Sequence, residues 1–224
     1  MTKTDQRAAR EKRRRLENRE TILHAAESVL LRKGVSAMSM DDVAAAAQFS
    51  KATLYRYFRT KAELVFEILT HFLEDLDDRL AAAMARPAGA RERLRAWIET
   101  SLRYLSQKEN MTRVFLLDRS FMRLLEIFVG KPGRTGTEAE KSFLRKVRAK
   151  RAEMNRRALD LLRGGIASGE FRPVDPAAGV MVLEAIIEGY FVERFWAETK
   201  TDLERDIESI DDFLGHSLGL AART

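Results

Sequence analysis

The stretch ILHAAESVLLRKGVSAMSMDDVAAAAQFSKATLYRYFRTKAELVFEIL, residues 22–69, decides the fold. Its apolar residues recur every three or four positions and never settle into alternation, which is the period of helices buried along one face. Ile22, Ala26, Val29 and Leu30 mark such a face on a helix expected over about 15–32, with Gly34 stopping it as a left-handed cap. Ser39 followed by Asp42 has capping-box spacing and opens a short second helix ending near Ala47. Ser50 opens a third, running to Phe58, in which Leu54 and Phe58 fall four apart and share the inner side. Thr60 and Glu63 repeat the capping spacing before a fourth helix, from Lys61 to about Ala85, which ends ahead of Pro87.

On either side of this stretch the chain changes character. Residues 1–62 hold fourteen Lys/Arg against seven Asp/Glu, whereas the whole chain has a formal net charge of +6, so the body beyond residue 62 is close to neutral. A basic end on a neutral body suits a polyanion, because each cation placed on a phosphate releases condensed counterions. Residues 1–14 are expected to be a disordered basic arm, since runs of like charge usually stay solvated. In the body, glycines and prolines mark breaks at 130–136 and 164–176. Between them helices are expected near 91–107, 111–129, 138–167, 176–198 and 202–218. Asp175-Pro176 is a helix-start signature, and Thr201 with Glu204 repeats the capping pattern. The expected class is all-α, with a three-helix helix-turn-helix domain over 15–62 and a helical body over 63–224.

Several kinds of chemistry find no support. The chain has no cysteine, so disulfides and thiolate sites are excluded. No apolar run is long enough for a signal peptide or membrane span, and a soluble cytoplasmic protein is expected. His24, His71 and His216 are too scattered to pair on a metal, and no cofactor motif appears. The segment Gly130-Lys-Pro-Gly-Arg-Thr-Gly136 lacks the Gly-Lys-Ser/Thr ending of a phosphate loop and reads as a connection. Nothing points to an enzyme.

The third helix is where the polar residues gather. Lys51, Thr53, Tyr55 and Tyr57 lie off the Leu54/Phe58 face, placed to meet phosphates and base edges, and the free amides at a helix N-terminus favour phosphate. Such a helix, paired with the one before it through a tight turn, is the element that enters the major groove. Residues 22–69 resemble the N-terminal domain of the TetR (tetracycline-repressor) family of bacterial regulators, from the Ala-Ala of the first helix through Gly34 and Asp-Val-Ala to Thr-Leu-Tyr and Phe-x-x-Lys. The resemblance implies a transcriptional regulator, a ligand-released repressor that binds a palindromic operator in double-stranded DNA as a homodimer. The alternative is a DNA-coating protein on the same fold, without an effector. The resemblance further implies that Ser50, Lys51, Thr53, Tyr55 and Tyr57 contact DNA, with Lys61 and the Ser39 region on the backbone. Two positions depart from the family pattern. Gln48 stands at the usual turn glycine, and Ala52, whose methyl can meet a thymine methyl, at a second glycine.

Beyond residue 69 the resemblance is looser, chiefly the helical outline and GIASGEFRP at 165–173. It implies that the body is a ligand-binding and dimerisation domain. Trp97, Tyr104, Phe115, Phe121, Phe128, Phe195 and Trp196 are candidates for the wall of an effector pocket, for a hydrophobic or amphipathic molecule such as an acyl-CoA. The basic run of Arg145, Lys146, Arg148, Lys150, Arg151, Arg156 and Arg157 is a candidate for that ligand's phosphates, or else a solvated face offset by the acidic segment 184–212. The last two helices are assigned to a dimer interface. Its candidates are Val180, Leu183, Ile187, Tyr190 and Phe191 on one stripe, and Leu203, Ile207, Ile210 and Leu214 on the other.

Overall fold

The computed structural model describes residues 3–85, 88–128, 138–197 and 202–219, and these contain helices and no strand. The described elements are α1 (Lys3–Ala37), α2 (Met40–Ala46), α3 (Lys51–Tyr57), α4 (Lys61–Met84), α5 (Ala90–Gln107), α6 (Glu109–Leu117), α7 (Arg119–Phe128), α8 (Glu138–Ala167), α9 (Pro176–Ala197) and α10 (Leu203–Ser217). They divide into two compact units, Met1–His71 with Asp118–Val147, and Phe72–Leu117 with Arg148–Thr224. None of the described helices is long and apolar enough to cross a membrane. The connection at 130–136 lies outside the described residues.

In the first unit the apolar stripe of α1 does what its period requires. Ile22, Ala26, Val29 and Leu30 are fully buried, as are Val43 of α2, Leu54 of α3, and Leu64, Val65 and Phe66 of α4. Each of these side chains other than Ala26 contributes about 1.5–3 kcal/mol on leaving water, which offsets the entropy of fixing helices as short as α2 and α3. Arg19 lays its guanidinium over the Phe58 ring, 4.9 Å from the centroid, and pairs with Glu67 at 2.7 Å.

Gly34 interrupts α1 at φ +70°, and a Cβ there would stand 3.3 Å from Asp118 Oδ2. Asp118 also explains why the single helix expected over 111–129 is two. Its carboxylate accepts hydrogen bonds from the backbone N–H groups of Ser120 and Phe121, capping α7, and from Val35 N–H at 3.1 Å. A side-chain cap thus breaks the chain without glycine or proline. At the other end, α1 begins at Lys3, so the basic segment expected to be disordered is helical.

The second unit is built around Leu94, Ile98, Leu102, Leu162 and Phe171 with the inner face of α9. Gly165 is required by close packing, because a Cβ there would overlap the Phe171 ring. Two buried carboxylates tie helices together. Asp77 of α4, with no exposed surface, accepts from Lys150 Nζ at 2.7 Å and Arg157 Nε at 2.9 Å, both on α8. This contact holds the Lys150 ammonium above the usual lysine range, chiefly through its hydrogen bond to Asp77. Asp211 of α10 is gripped by Arg91 and, at 3.0 Å, by Arg95 of α5. The N-cap of α10 is Asp202, whose carboxylate accepts from the amides of Glu204 and Arg205. Thr201, expected in that role, lies outside the described residues.

Candidate nucleic-acid interface

The reading head is built from two short helices and the turn between them. Ser39 caps α2 as its spacing predicts: its hydroxyl accepts from Asp42 N–H and donates to Asp42 Oδ2 at 2.8 Å, while Ser39 N–H donates to the same carboxylate. Hydrogen bonds from Lys33 and then Ser39 lower the pKa of Asp42 to about 2. At the far end of α2, Phe49 N–H reaches Ala44 O and Gln48 N–H reaches Ala45 O, the paired bonds of a Schellman cap. Gln48 itself takes φ 58°, so the left-handed turn is made by a side-chain-bearing residue, at a cost of about 1 kcal/mol. Gln48 thus holds a left-handed turn at a position where the resemblance implies glycine.

Ser50 then caps α3, accepting from Thr53 N–H at 3.1 Å and sharing a hydrogen bond with the Thr53 hydroxyl at 2.9 Å. Leu54 and Phe58 point inward with no exposed surface. The opposite side of α3 presents Lys51, Ala52, Tyr55 and Arg56 to solvent, with Tyr55 42% exposed. Arg56 is the residue of this face that sequence reasoning misses. Its signal is the same exposed stripe, one residue beyond Tyr55 and four beyond Ala52. The Lys51 ammonium pairs with Asp41 at 2.7 Å, which raises its pKa chiefly through their hydrogen bond. Tyr57 is half-buried, and its hydroxyl accepts from Asn18 Nδ2 of α1 at 3.2 Å.

Lys61 sits differently from expectation. Its Nζ donates to Val35 O at 2.9 Å, Ser36 O at 3.3 Å and Met38 O at 3.1 Å, satisfying the carbonyls left over where α1 ends. The ammonium therefore positions the loop ahead of Ser39, instead of standing free for a phosphate.

Six of the seven body residues expected to wall an effector pocket have described side chains. Trp97, Tyr104, Phe115 and Phe195 are buried in the second unit, Phe121 is buried in the first, and Trp196 is 75% exposed. The Phe128 side chain lies outside the described residues. Tyr104 packs on Phe72, which meets Phe115 edge-on, an aromatic core cluster. An open cleft of about 570 Å³ lies elsewhere in this unit, lined by Ala81, Met84, Arg93, Arg157, Gly164 and Ser168 among others. Of the basic run, Lys150 and Arg157 are tied to Asp77 and Arg151 reaches Glu184 and Glu188, so these three are already paired.

The expected dimer stripes face inward. Val180, Leu183, Ile187, Phe191, Ile207 and Leu214 are buried, and Tyr190, Leu203 and Ile210 pack against the same core, so their burial is satisfied within one protomer. The exposed large apolar residues of α9 and α10 are Met181, Val182, Trp196 and Phe213. Both faces of α9 are apolar, and the period alone does not say which turns inward. No group of His, Asp or Glu among the described residues is arranged to hold a metal ion.

Comparison with known proteins bears on this geometry. Residues 22–68 match the model of bacterial regulatory proteins of the tetR family. The chain is 35% identical over 83 residues to the HTH-type transcriptional activator FasR of Mycolicibacterium smegmatis, a match covering 37% of this chain and 38% of FasR's length. In structure it is similar to the fatty acid degradation regulator FadR of Bacillus halodurans, with TM-score 0.71 and 16% identity over 92% of this chain and 97% of that one. It is also similar to FadR of Bacillus subtilis, solved in complex with stearoyl-CoA, with TM-score 0.67 and 19% identity over 87% and 96% of the two chains. The matched segment contains the capped helices, the turn and the exposed face of α3, and the structural likeness extends through the all-helical body. Residues 22–68, with the helix-turn-helix they hold, are those of the tetR family of bacterial regulatory proteins.

Proposed function

We propose that the chain is a sequence-specific DNA-binding transcriptional regulator whose α3 enters the major groove. The observation that carries this reading is the exposed side of α3, where Lys51, Ala52, Tyr55 and Arg56 stand out from a helix anchored by Leu54 and Phe58. Side chains of these types meet phosphates and base edges, and the Ser50 cap fixes the end of the helix that approaches the bases. Lys51 exchanges its exposed Asp41 partner for phosphate, which is feasible because surface ion pairs contribute only about 0–1 kcal/mol.

A homodimer on a palindromic operator follows from the same reading. The outward side of α9, with Met181, Val182 and Trp196, and Phe213 of α10 are the surfaces a second copy would cover, in place of the inward stripes. An amphipathic effector of the acyl-CoA class is supported by the stearoyl-CoA held by the structurally similar FadR. In this chain the cleft beside Arg93 is its proposed entrance, with alanine and glycine walls that leave room for a chain and the Arg93 guanidinium for a phosphate.

Selection from a random duplex pool tests the central claim. Enrichment of a palindrome with half-sites roughly 34–36 Å apart, or a multiple of that, is the expected result. Arg56→Ala should weaken binding to the enriched site. Salt-sensitive coverage of any duplex, with no enriched sequence, would overturn the reading in favour of DNA coating.

A further inference from the structure

We propose that the N-terminal extension of α1, residues 3–15, is a second DNA-contacting element, which lays Arg7, Arg10 and Arg14 along phosphates flanking the sequence read by α3. The inference rests on the DNA-binding reading above and adds a separate surface to it.

Residues 5–16 are exposed throughout, so this part of α1 is a helix with no core beneath it. Its sequence, KTDQRAAREKRRR, holds seven Lys/Arg against two carboxylates. Ala, Arg, Lys, Glu and Gln are strong helix formers, and Arg13 pairs with Glu17 one turn on at 2.8 Å. Against this, Arg7 with Arg10 and Arg10 with Arg14 are like charges one turn apart, a spacing that destabilises a helix. None of the three is engaged in an ion pair among the described residues. A polyanion along this side removes the repulsion.

The position of the stripe selects the polyanion. Residues 7, 10, 14 and 18 follow one another at intervals of three or four and share a side of the helix. Asn18 is the residue whose amide donates to the Tyr57 hydroxyl of α3. At 1.5 Å per residue, the Arg14 and Arg7 positions lie roughly 6 and 16 Å further along the axis from Asn18. The charged side therefore continues outward from the reading helix, where a duplex under α3 continues too, offering a negative charge about every 1.7 Å of its axis. A membrane surface is a poorer match. Apart from Ala8 and Ala9 the segment has no apolar side to insert, and an interfacial helix needs one.

The test compares full-length protein with a triple variant, Arg7→Ala, Arg10→Ala and Arg14→Ala, on the selected site. One duplex carries flanks of about ten base pairs at each end and the other is trimmed to the site, and affinity is measured across a salt series. On the flanked duplex the variant should bind at least about tenfold more weakly, and its log–log salt slope should fall by roughly 0.9 for each phosphate that is no longer neutralised. On the trimmed duplex the two proteins should agree, base preference should not change, and the corresponding triple Arg→Lys variant should restore most of the flank effect. Alanine favours helix, so circular dichroism of the free variant should show the helix retained. Equal affinity and slope on the flanked duplex would overturn the proposal while leaving the α3 reading intact. Weakening of equal size on both duplexes would overturn the flanking placement. Failure of the parent protein to select any duplex would overturn both readings. Binding of the segment to phosphatidylserine vesicles without a flank effect would assign it to membranes instead.

Discussion

In the first unit the ion pair beside α3 stands in water, with Lys51 and Asp41 both more than half exposed, whereas in the second unit Asp77 and Asp211 are buried and each carboxylate holds two cations. An exposed pair is nearly free to exchange, because solvent screens it and the long side chains lose entropy in holding it. A buried carboxylate stripped of its cations, or cations stripped of their carboxylate, are left with desolvated charge and a large penalty. The difference teaches that charge does two separate jobs in this chain. Near α3 it stays exposed and exchangeable, and in the body it pins α4 to α8 and α5 to α10.

Substitutions in the two regions should separate these jobs. The largest effect is expected from Asp77→Ala, which should lower the free energy of unfolding by about 3 kcal/mol in denaturant titrations, since it leaves the largely buried Lys150 and its neighbour Arg157 with only the looser Glu153 carboxylate, 3.6 Å from each. If the drop were no larger than that of an exposed pair, the contrast between the units would fail. Next, Ser50→Ala should cost about 1 kcal/mol by removing the α3 cap, and it should also weaken binding to the selected duplex. Gln48→Gly should act in the opposite direction, stabilising the chain by up to about 1 kcal/mol, because glycine takes φ 58° without strain. A fall in melting temperature on that change would mean that the Gln48 side chain makes an interaction outweighing the relief.

Lys51→Ala sharpens the comparison from the other side. Thermal stability should barely change, while the salt dependence of duplex binding should flatten by about one phosphate per protomer. The smallest effect concerns acid. The folded state lowers the Asp42 pKa to about 2, so its contribution is complete above the unfolded carboxylate's value near 4 and disappears as pH falls through about 2. Melting curves of Asp42→Asn should therefore lack that part of the acid decline and otherwise run parallel to the parent.

Much of the first unit is legible in the sequence because its signals are local. Ser39 with Asp42, the Ser50 cap, Gly34 and the spacing of Leu54 and Phe58 each fix a structure within a few residues, and all appear where the spacing puts them. What the sequence cannot show depends on distant partners. The break at Asp118 carries no glycine or proline, and beside the local amides of Ser120 and Phe121 its carboxylate holds that of Val35, far away in sequence. Lys61 resembles a phosphate ligand because its three carbonyl partners lie more than twenty residues upstream. On α9, Val180, Leu183 and Ile187 form one apolar stripe while Met181, Val182 and Trp196 lie on the other side, so periodicity names the helix without choosing its inner face. The extension of α1 reads as disordered because helix there rests on propensity and one Arg13–Glu17 pair, with no buried face to give it a period.

The Asp118 carboxylate also makes one amide into a reporter. Val35 N–H is hydrogen-bonded to a side chain 83 residues away, and that side chain is simultaneously the cap of α7. In a hydrogen–deuterium exchange measurement its protection would register fraying of the first turn of α7 as well as opening at the end of α1. A mass shift in the peptide containing Val35 that vanishes in Asp118→Asn would separate the two movements, so the timing of events in one segment can be read from the other without a label on either.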